Sequence, residues 1–392
     1  MNEKNHADVK VIFALTLIHF TGDFYISFVN PLLPVFVEEF SLSLTQVGLI
    51  AGMMRMLAFV VQPGVGYFAD RYRSRVFVLG GPLLSIVFIS LVGWTHSFWG
   101  LLLFIALGAT GSSMFHPSVA GMVANYAGRH FGLSLSIFNI GGMVAFGIGP
   151  LFITYLVGRW GLEVTPWTAI PGLALMALLF RITPRPLGEG LRGQGFSGAL
   201  RTAFGDVWKS IFLIWVIMVL HAFVNQAFQA FIPVLYAHDG QTLVSIGFVV
   251  SLFSLAGSLS GLLAGHLSDR IGYRPIFIGT FLLAAPCLIM MLFLHGSWVY
   301  LGATLGGFFL FATLPLGLVM AQKLAPQGKS MVSSLMMGLA MGMGGVMTPL
   351  VGKLADIFSI RAALFVVALV PLASLCLVAF LPDKKLREQP ST

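Results

Sequence analysis

Gly66-Tyr-Phe-Ala-Asp70-Arg71 returns 199 residues later as Gly265-His-Leu-Ser-Asp269-Arg270. Pro34 and Pro233 keep that offset, and so do Pro150 and Pro349. One match means little, but three features in register describe a duplicated unit. Outward from each copy the chain runs into long apolar stretches, and these recur from end to end. A bilayer core about 30 Å thick needs about 20 apolar residues per helix. The stretches predict twelve spans, near 11–37, 44–69, 76–96, 98–125, 131–158, 163–183, 210–237, 242–267, 275–295, 297–324, 331–355 and 360–381. Helices are expected because a single span in lipid must satisfy its own backbone. Continuous apolar runs exclude the alternating pattern of a barrel.

Composition agrees. Hydrophobic residues make up 57% of the 392 and charged residues 9%, against about 25% charged in a soluble domain. A soluble surface cannot be built from so few polar groups. The formal charge of +8 does not indicate nucleic acid, because the basic residues sit in short segments between apolar runs. With both termini inside, 18 of the 22 Lys and Arg fall on the cytoplasmic side. Only Arg159, Lys353 and Arg361 fall outside, and Arg55 has no loop to occupy. Cys287 and Cys376 lie in apolar runs and imply no disulfide framework. The short polar lead before the first run, with no small-residue cleavage site, predicts a retained first helix.

The fold expected is all-α and membrane-embedded, with two pseudo-symmetric six-helix bundles at 1–183 and 210–392. The stretch 184–209, with Pro184, Pro186 and several glycines, reads as the cytoplasmic linker.

The repeated Gly-x-x-x-Asp-Arg resembles the signature loop of the major facilitator superfamily. The second copy fits fully, with Gly272 in place; the first has Arg73 where glycine is usual. The resemblance implies a cytoplasmic gate built from Gly66, Asp70, Arg71, Gly265, Asp269 and Arg270. Its aspartates would meet arginines and a helix N-terminus in one state and release them in the other. A topological loop is the alternative. A narrower resemblance rests on Gly108-Ala-Thr-Gly-Ser-Ser-Met-Phe-His116-Pro117 and on Gly132-Leu-Ser-Leu-Ser-Ile-Phe-Asn139-Ile-Gly-Gly142. With Gln62-Pro63-x-x-Gly66-Tyr67 and the spacing of His19 and Asp23, these are similar to the fosmidomycin resistance protein group of bacterial transporters. That group implies proton-driven efflux of a small anionic phosphonate from a bacterial inner membrane.

Ionisable groups inside a membrane are costly and face a cavity or a partner. This chain has Asp23, Arg55, His19, His116 and His221 well inside its spans. Thr16, His19, Asp23, Ser27 and Asn30 lie three or four residues apart, so one helical face carries all five. The seventh span carries His221, Asn225 and Gln229, with Gln226 beside them. Polar stripes on repeat-related helices suit a central cavity; hydrogen bonding between packed helices is the alternative, and accounts well for Ser251, Ser254 and Ser258.

Asp23 is the expected proton-coupling residue, with His19 one turn away to share the proton. A structural Asp23–His19 or Asp23–Arg55 pair is the alternative. Arg55 offers a planar donor fork for a carboxylate or phosphonate. Asn30, His116, Asn139, His221, Asn225 and Gln229 complete the expected substrate contacts. Six methionines between Met331 and Met347 raise copper, but no Cys or His accompanies them, and Met also fills gaps between helices. No metal site and no cofactor are expected. There is no phosphate-binding Gly-x-x-x-x-Gly-Lys loop for ATP, and no span arranges a nucleophile with its base, so no enzyme is expected.

The reading is a secondary active transporter, monomeric, exchanging protons for a small organic anion or amphiphilic drug by alternating access. Uptake or facilitated diffusion of an anion remains open beside it. A sensor or scaffold would need a larger soluble part than the two short tails.

Overall fold

A computed structural model of the chain describes residues 7–71, 75–128, 131–185, 207–325, 332 and 334–382; the side chains at 63, 64, 66–71, 124, 131, 262, 269 and 334 lie outside that description. All twelve expected spans are present as helices long and apolar enough to cross a membrane. They are α1 (Val9–Phe40), α2 (Leu44–Gln62), α3 (Val76–Trp94), α4 (Phe98–Val123), α5 (Gly132–Trp160) and α6 (Leu162–Ile182). After the linker come α7 (Trp208–His238), α8 (Leu243–Ser268), α9 (Tyr273–Phe293), α10 (Ser297–Leu324), α11 (Leu335–Ile357) and α12 (Ile360–Val378). No strand occurs among the described residues. Most of the expected linker, 186–206, lies outside them.

Local chemistry explains the irregular places. α1 is helical over Val9–Ile26 and Val29–Phe40, with a turn at Ser27 and Phe28. Pro31 has no N–H to offer the Ser27 carbonyl one helical turn back, so the ladder is interrupted there. The break falls between Asp23 and Asn30 and divides the polar stripe. α3 opens on a π-turn at Val76–Gly80, and α11 opens on another at Ser334–Leu339. Gly272 has φ +91 immediately before α9, a backbone region that favours glycine.

The chain forms two compact units. The first comprises Met1–Leu42, Met56–Arg192 and Tyr236–Ser251; the second comprises Ser43–Arg55, Gly193–Leu235 and Leu252–Thr392. They follow the two sequence halves except that each half gives the other one short stretch. Close packing at glycine explains both exchanges. A side chain at Gly48 would come within 2.7 Å of the Thr348 carbonyl oxygen and 2.8 Å of Pro349 Cα. One at Gly247 would meet the Pro150 carbonyl oxygen at 2.9 Å. Asp356 adds a polar tie within the second unit. It accepts from the Leu44 and Thr45 backbone N–H at 2.8 and 2.9 Å, and from Thr45 Oγ1 at 2.6 Å. These N–H groups begin α2 and have no acceptor inside their own helix.

In the first unit α1 is the central element, packed on α5 and against α3, α4 and α6. It is buried along most of its length, from Val11 to Phe36. In the second unit an apolar core gathers Ile214, Met218, Phe277, Phe281, Leu316 and Met336. Large side chains such as Trp99, Trp167, Trp298 and Phe380 stand exposed, as apolar surface facing lipid would be.

Candidate functional site

Asp23 lies at the middle of α1 with its side chain only 5% exposed. A buried carboxylate needs partners, and two imidazoles bracket it. His19 Nε2 stands 3.1 Å from Oδ2, and His116 Nε2 stands 3.1 Å from Oδ1. The four-residue spacing puts His19 on the same face of α1. His116 arrives from α4 just before Pro117, at 32% side-chain exposure.

Each ring is held in place. His19 Nδ1 makes a 2.9 Å hydrogen bond with the Phe138 carbonyl oxygen on α5, and the Phe138 ring stacks on His19 with centroids 4.2 Å apart. Phe115 stacks on His116 at the same centroid distance. The two imidazoles meet edge to face at 5.2 Å. Gly142 faces the remaining side without a side chain: a Cβ there would lie 2.8 Å from Asp23 Oδ2, His19 Cε1 and His19 Nε2. Only a residue without a side chain lets α5 approach this closely. The oxygen Oδ1 is buried and lacks a hydrogen bond of good alignment, although His116 is near. The cluster is thus a buried carboxyl group between two imidazoles, one hydrogen-bonded to a backbone carbonyl and one stacked on Phe115.

The second unit collects a different chemistry. Arg55 Nε donates to Gln226 Oε1 at 2.7 Å, and Gln226 Nε2 donates to the Ala51 carbonyl at 3.3 Å. Gln229 Nε2 donates to Asn225 Oδ1 at 2.5 Å along α7. His221 Nδ1 lies 3.1 Å from Thr313 Oγ1 on α10.

Most of the expected site residues therefore fall into two groups. His19, Asp23 and His116 converge. His116, read as a substrate contact, stands against the Asp23 carboxylate directly. Arg55 joins Gln226, while His221, Asn225 and Gln229 share the buried face of α7. Asn30 is half-buried beyond the break in α1, and Asn139 is exposed one residue after Phe138. In the expected gate, Gly265 is half-buried and Arg270 exposed. Gly66, Asp70 and Arg71 lie on a helix whose side chains there are outside the described residues, as is that of Asp269. The reading from sequence missed the Phe138 carbonyl, the cradle at Gly142 and the Asp356 cap.

The sequence profile of the Major Facilitator Superfamily matches residues 13–329 and 214–392. The fosmidomycin resistance protein of Escherichia coli is 27% identical over 387 residues, covering 97% of this chain and 95% of that protein. An uncharacterized transporter of the same superfamily from Bacillus subtilis, YfnC, is 26% identical over 96% of this chain and 94% of its own length. Among solved structures, a bacterial homolog of the human lysosomal transporter Spinster, inward-facing and unoccupied, superposes with a TM-score of 0.83. It shares 17% identity and covers 97% of this chain and 98% of that one. The human organic anion transporter MFSD10 gives 0.67 at 17% identity, over 94% and 99%.

Proposed function

From the premise that this chain belongs to the Major Facilitator Superfamily and is a multi-pass membrane transporter, we propose that it is a proton-coupled exporter of a small organic anion, working by alternating access. The observation that carries this reading is the buried Asp23 between His19 and His116. A carboxylate out of water needs a proton or a cation beside it. Two imidazoles stand at hydrogen-bond distance, and imidazole is a side chain suited to shuttling a proton. His116, the more exposed of the two, is the port; His19, held to Phe138, is the fixed end. A proton entering at His116 passes to the carboxylate without crossing lipid.

Substrate recognition falls to Arg55 and the amides of α7. Arg55 presents a planar donor set to a carboxylate or phosphonate, and Gln226 orients it. Asn225, Gln229, His221, Asn30 and Asn139 supply the remaining polar contacts. A phosphonate drug is the first substrate to try, given what the Escherichia coli relative is named for. The skew of basic residues supports an orientation with both termini in the cytoplasm, and the bacterial relatives support an inner-membrane location. The two sequence halves, joined through 184–209, serve as the moving bundles of a monomer. Asp70 with Arg71 and Asp269 with Arg270 serve as the parts of a cytoplasmic gate. Coupling of about 1–3 kcal/mol at such a gate shifts a two-state balance roughly 5- to 150-fold.

Reconstitution into liposomes tests the reading. Anionic phosphonates are supplied on one side, an inward proton gradient is imposed for the exporting orientation, and an internal pH dye reports protons. Exchange predicts proton flow opposite to substrate flow, and substrate gathered against its gradient. Substrate movement that ignores the proton gradient favours facilitated diffusion, and proton flow in the same direction as substrate favours uptake.

A further inference from the structure

His19 commits Nδ1 to the Phe138 carbonyl at 2.9 Å. A carbonyl oxygen only accepts, so the hydrogen sits on Nδ1 and Nε2 of the neutral ring presents a lone pair. That lone pair faces Asp23 Oδ2 at 3.1 Å. Two acceptors at this distance repel unless a positive species lies between them. A proton is one such species, and a metal ion is the other. A ring with one nitrogen on a backbone carbonyl and the other turned toward a cation is the arrangement that metal-ligating histidines adopt.

Two further observations point to an occupant. Asp23 Oδ1 is buried without a well-aligned hydrogen bond, yet His116 Nε2 stands 3.1 Å from it. Gly142 leaves bare the side where a Cβ would lie 2.8 Å from Asp23 Oδ2 and His19 Nε2. The three ligand atoms lie within 4.8 Å of one another. In a tetrahedral zinc centre, ligand atoms about 2.0–2.2 Å from the metal are about 3.3 Å apart. The two carboxylate–imidazole distances already approach that value. A small swing of the half-exposed His116 ring closes the third.

We propose that His19 Nε2, the Asp23 carboxylate and His116 Nε2 form a binding site for one divalent transition-metal ion of the Zn2+ type. Two imidazoles and one carboxylate suit Zn2+, Co2+ and Cu2+, whereas Mg2+ and Ca2+ prefer all-oxygen shells. The fourth position is left to water on the His116 side. The ion takes the gap that a bridging proton would fill, so metal and proton exclude each other. On the coupling reading given above, bound Zn2+ is therefore an inhibitor; binding itself does not rest on that reading.

The test uses the purified full chain without a histidine tag, titrated in detergent with Co2+ and then with Zn2+ alone. One Co2+ per chain is expected, with the visible absorption of a tetrahedral centre, displaced by Zn2+. Asp23→Asn and His116→Ala are expected to lower affinity about 100-fold or more. Gly142→Ala removes no donor and is expected to lower it about tenfold, in the range that supporting residues of a metal site command. Should a variant fail to fold, Cu2+ electron paramagnetic resonance on the wild-type chain reads the two imidazole nitrogens directly. No saturable site, or equal affinity in folded Asp23→Asn and His116→Ala, overturns the proposal. A Zn2+ site that leaves transport untouched keeps the metal and removes the coupling reading. Absence of a site, with transport still dependent on Asp23, does the reverse.

Discussion

The first and seventh spans hold equivalent places in the two repeats and carry opposite chemistry. At the 199-residue offset, His19 corresponds to Met218 and Asp23 to Ala222. Met218 belongs to the apolar core of its unit, and Ala222 is 2% exposed. His116 corresponds to Pro315. The ionisable cluster therefore exists in one repeat alone. The second repeat keeps neutral amides instead, and one of them, Gln226, accepts from Nε of Arg55, which belongs by packing to the second unit. Ser27 with Gln226, and Asn30 with Gln229, keep polar pairs across the offset. Duplication supplied two equal scaffolds, and the chain fills them differently; the proposed division between proton and anion rests on that difference.

The largest effect is expected from forcing the two spans to match. Ala222→Asp buries a carboxylate where no bracketing pair of imidazoles like that at Asp23 is shown among the described residues, and where space is short. A Cβ at Gly344 would already lie 2.6 Å from Ala222 Cβ. An unpaired buried charge costs about 3–5 kcal/mol, so the thermal unfolding temperature of the purified variant should fall sharply. An unchanged unfolding temperature would mean that the second repeat tolerates the chemistry of the first, and the comparison breaks.

Gln226→Leu sharpens the other side. It removes the acceptor of Arg55 Nε and the donor to the Ala51 carbonyl. Leaving such groups unsatisfied costs about 1–3 kcal/mol. Anion affinity measured by isothermal titration should weaken while the proton-to-anion ratio stays fixed. A changed ratio would place proton coupling in both units.

His221→Gln is expected to do less. Its described polar contact is with Thr313 Oγ1, and one neutral hydrogen bond contributes about 1 kcal/mol. Stability should drop slightly and the pH dependence of transport should not move. A displaced pH profile would make His221 a third member of the proton path.

Asp356→Asn is expected to act least. The carboxylate caps the start of α2 from a distant part of the chain, and loss of a cap costs about 0.5–2 kcal/mol. Asn keeps one acceptor, so the low end applies. Hydrogen exchange at Leu44 and Thr45 reads it directly; unaltered protection there would make the cap incidental.

The spans were legible because twenty apolar residues in a row have few other meanings. The stripe on α1 was legible because spacings of three and four put residues on one face whatever the helix packs against. The site was legible only in part. His116 comes to Asp23 from another helix, and nothing in its local sequence names that partner. The acceptor that orients His19 is the main-chain oxygen of Phe138, and a backbone carbonyl leaves no mark in a side-chain pattern. Gly142 reads in sequence as one of two adjacent packing glycines, while its role depends on what stands opposite. His19 was legible as a partner of Asp23 because it shares its helical face, whereas His116 reaches the same carboxyl group only through the packing of α4 on α1.

Proton movement in the Asp23→Asn chain tests the central claim most directly. Wild-type and variant proteins are placed in liposomes with a pH dye inside, and substrate and proton fluxes are recorded together. The account predicts that the variant folds and equilibrates substrate down its gradient. It also predicts that the variant moves no protons with substrate and loses uphill accumulation. Accumulation by the Asn variant at the wild-type proton ratio would contradict it.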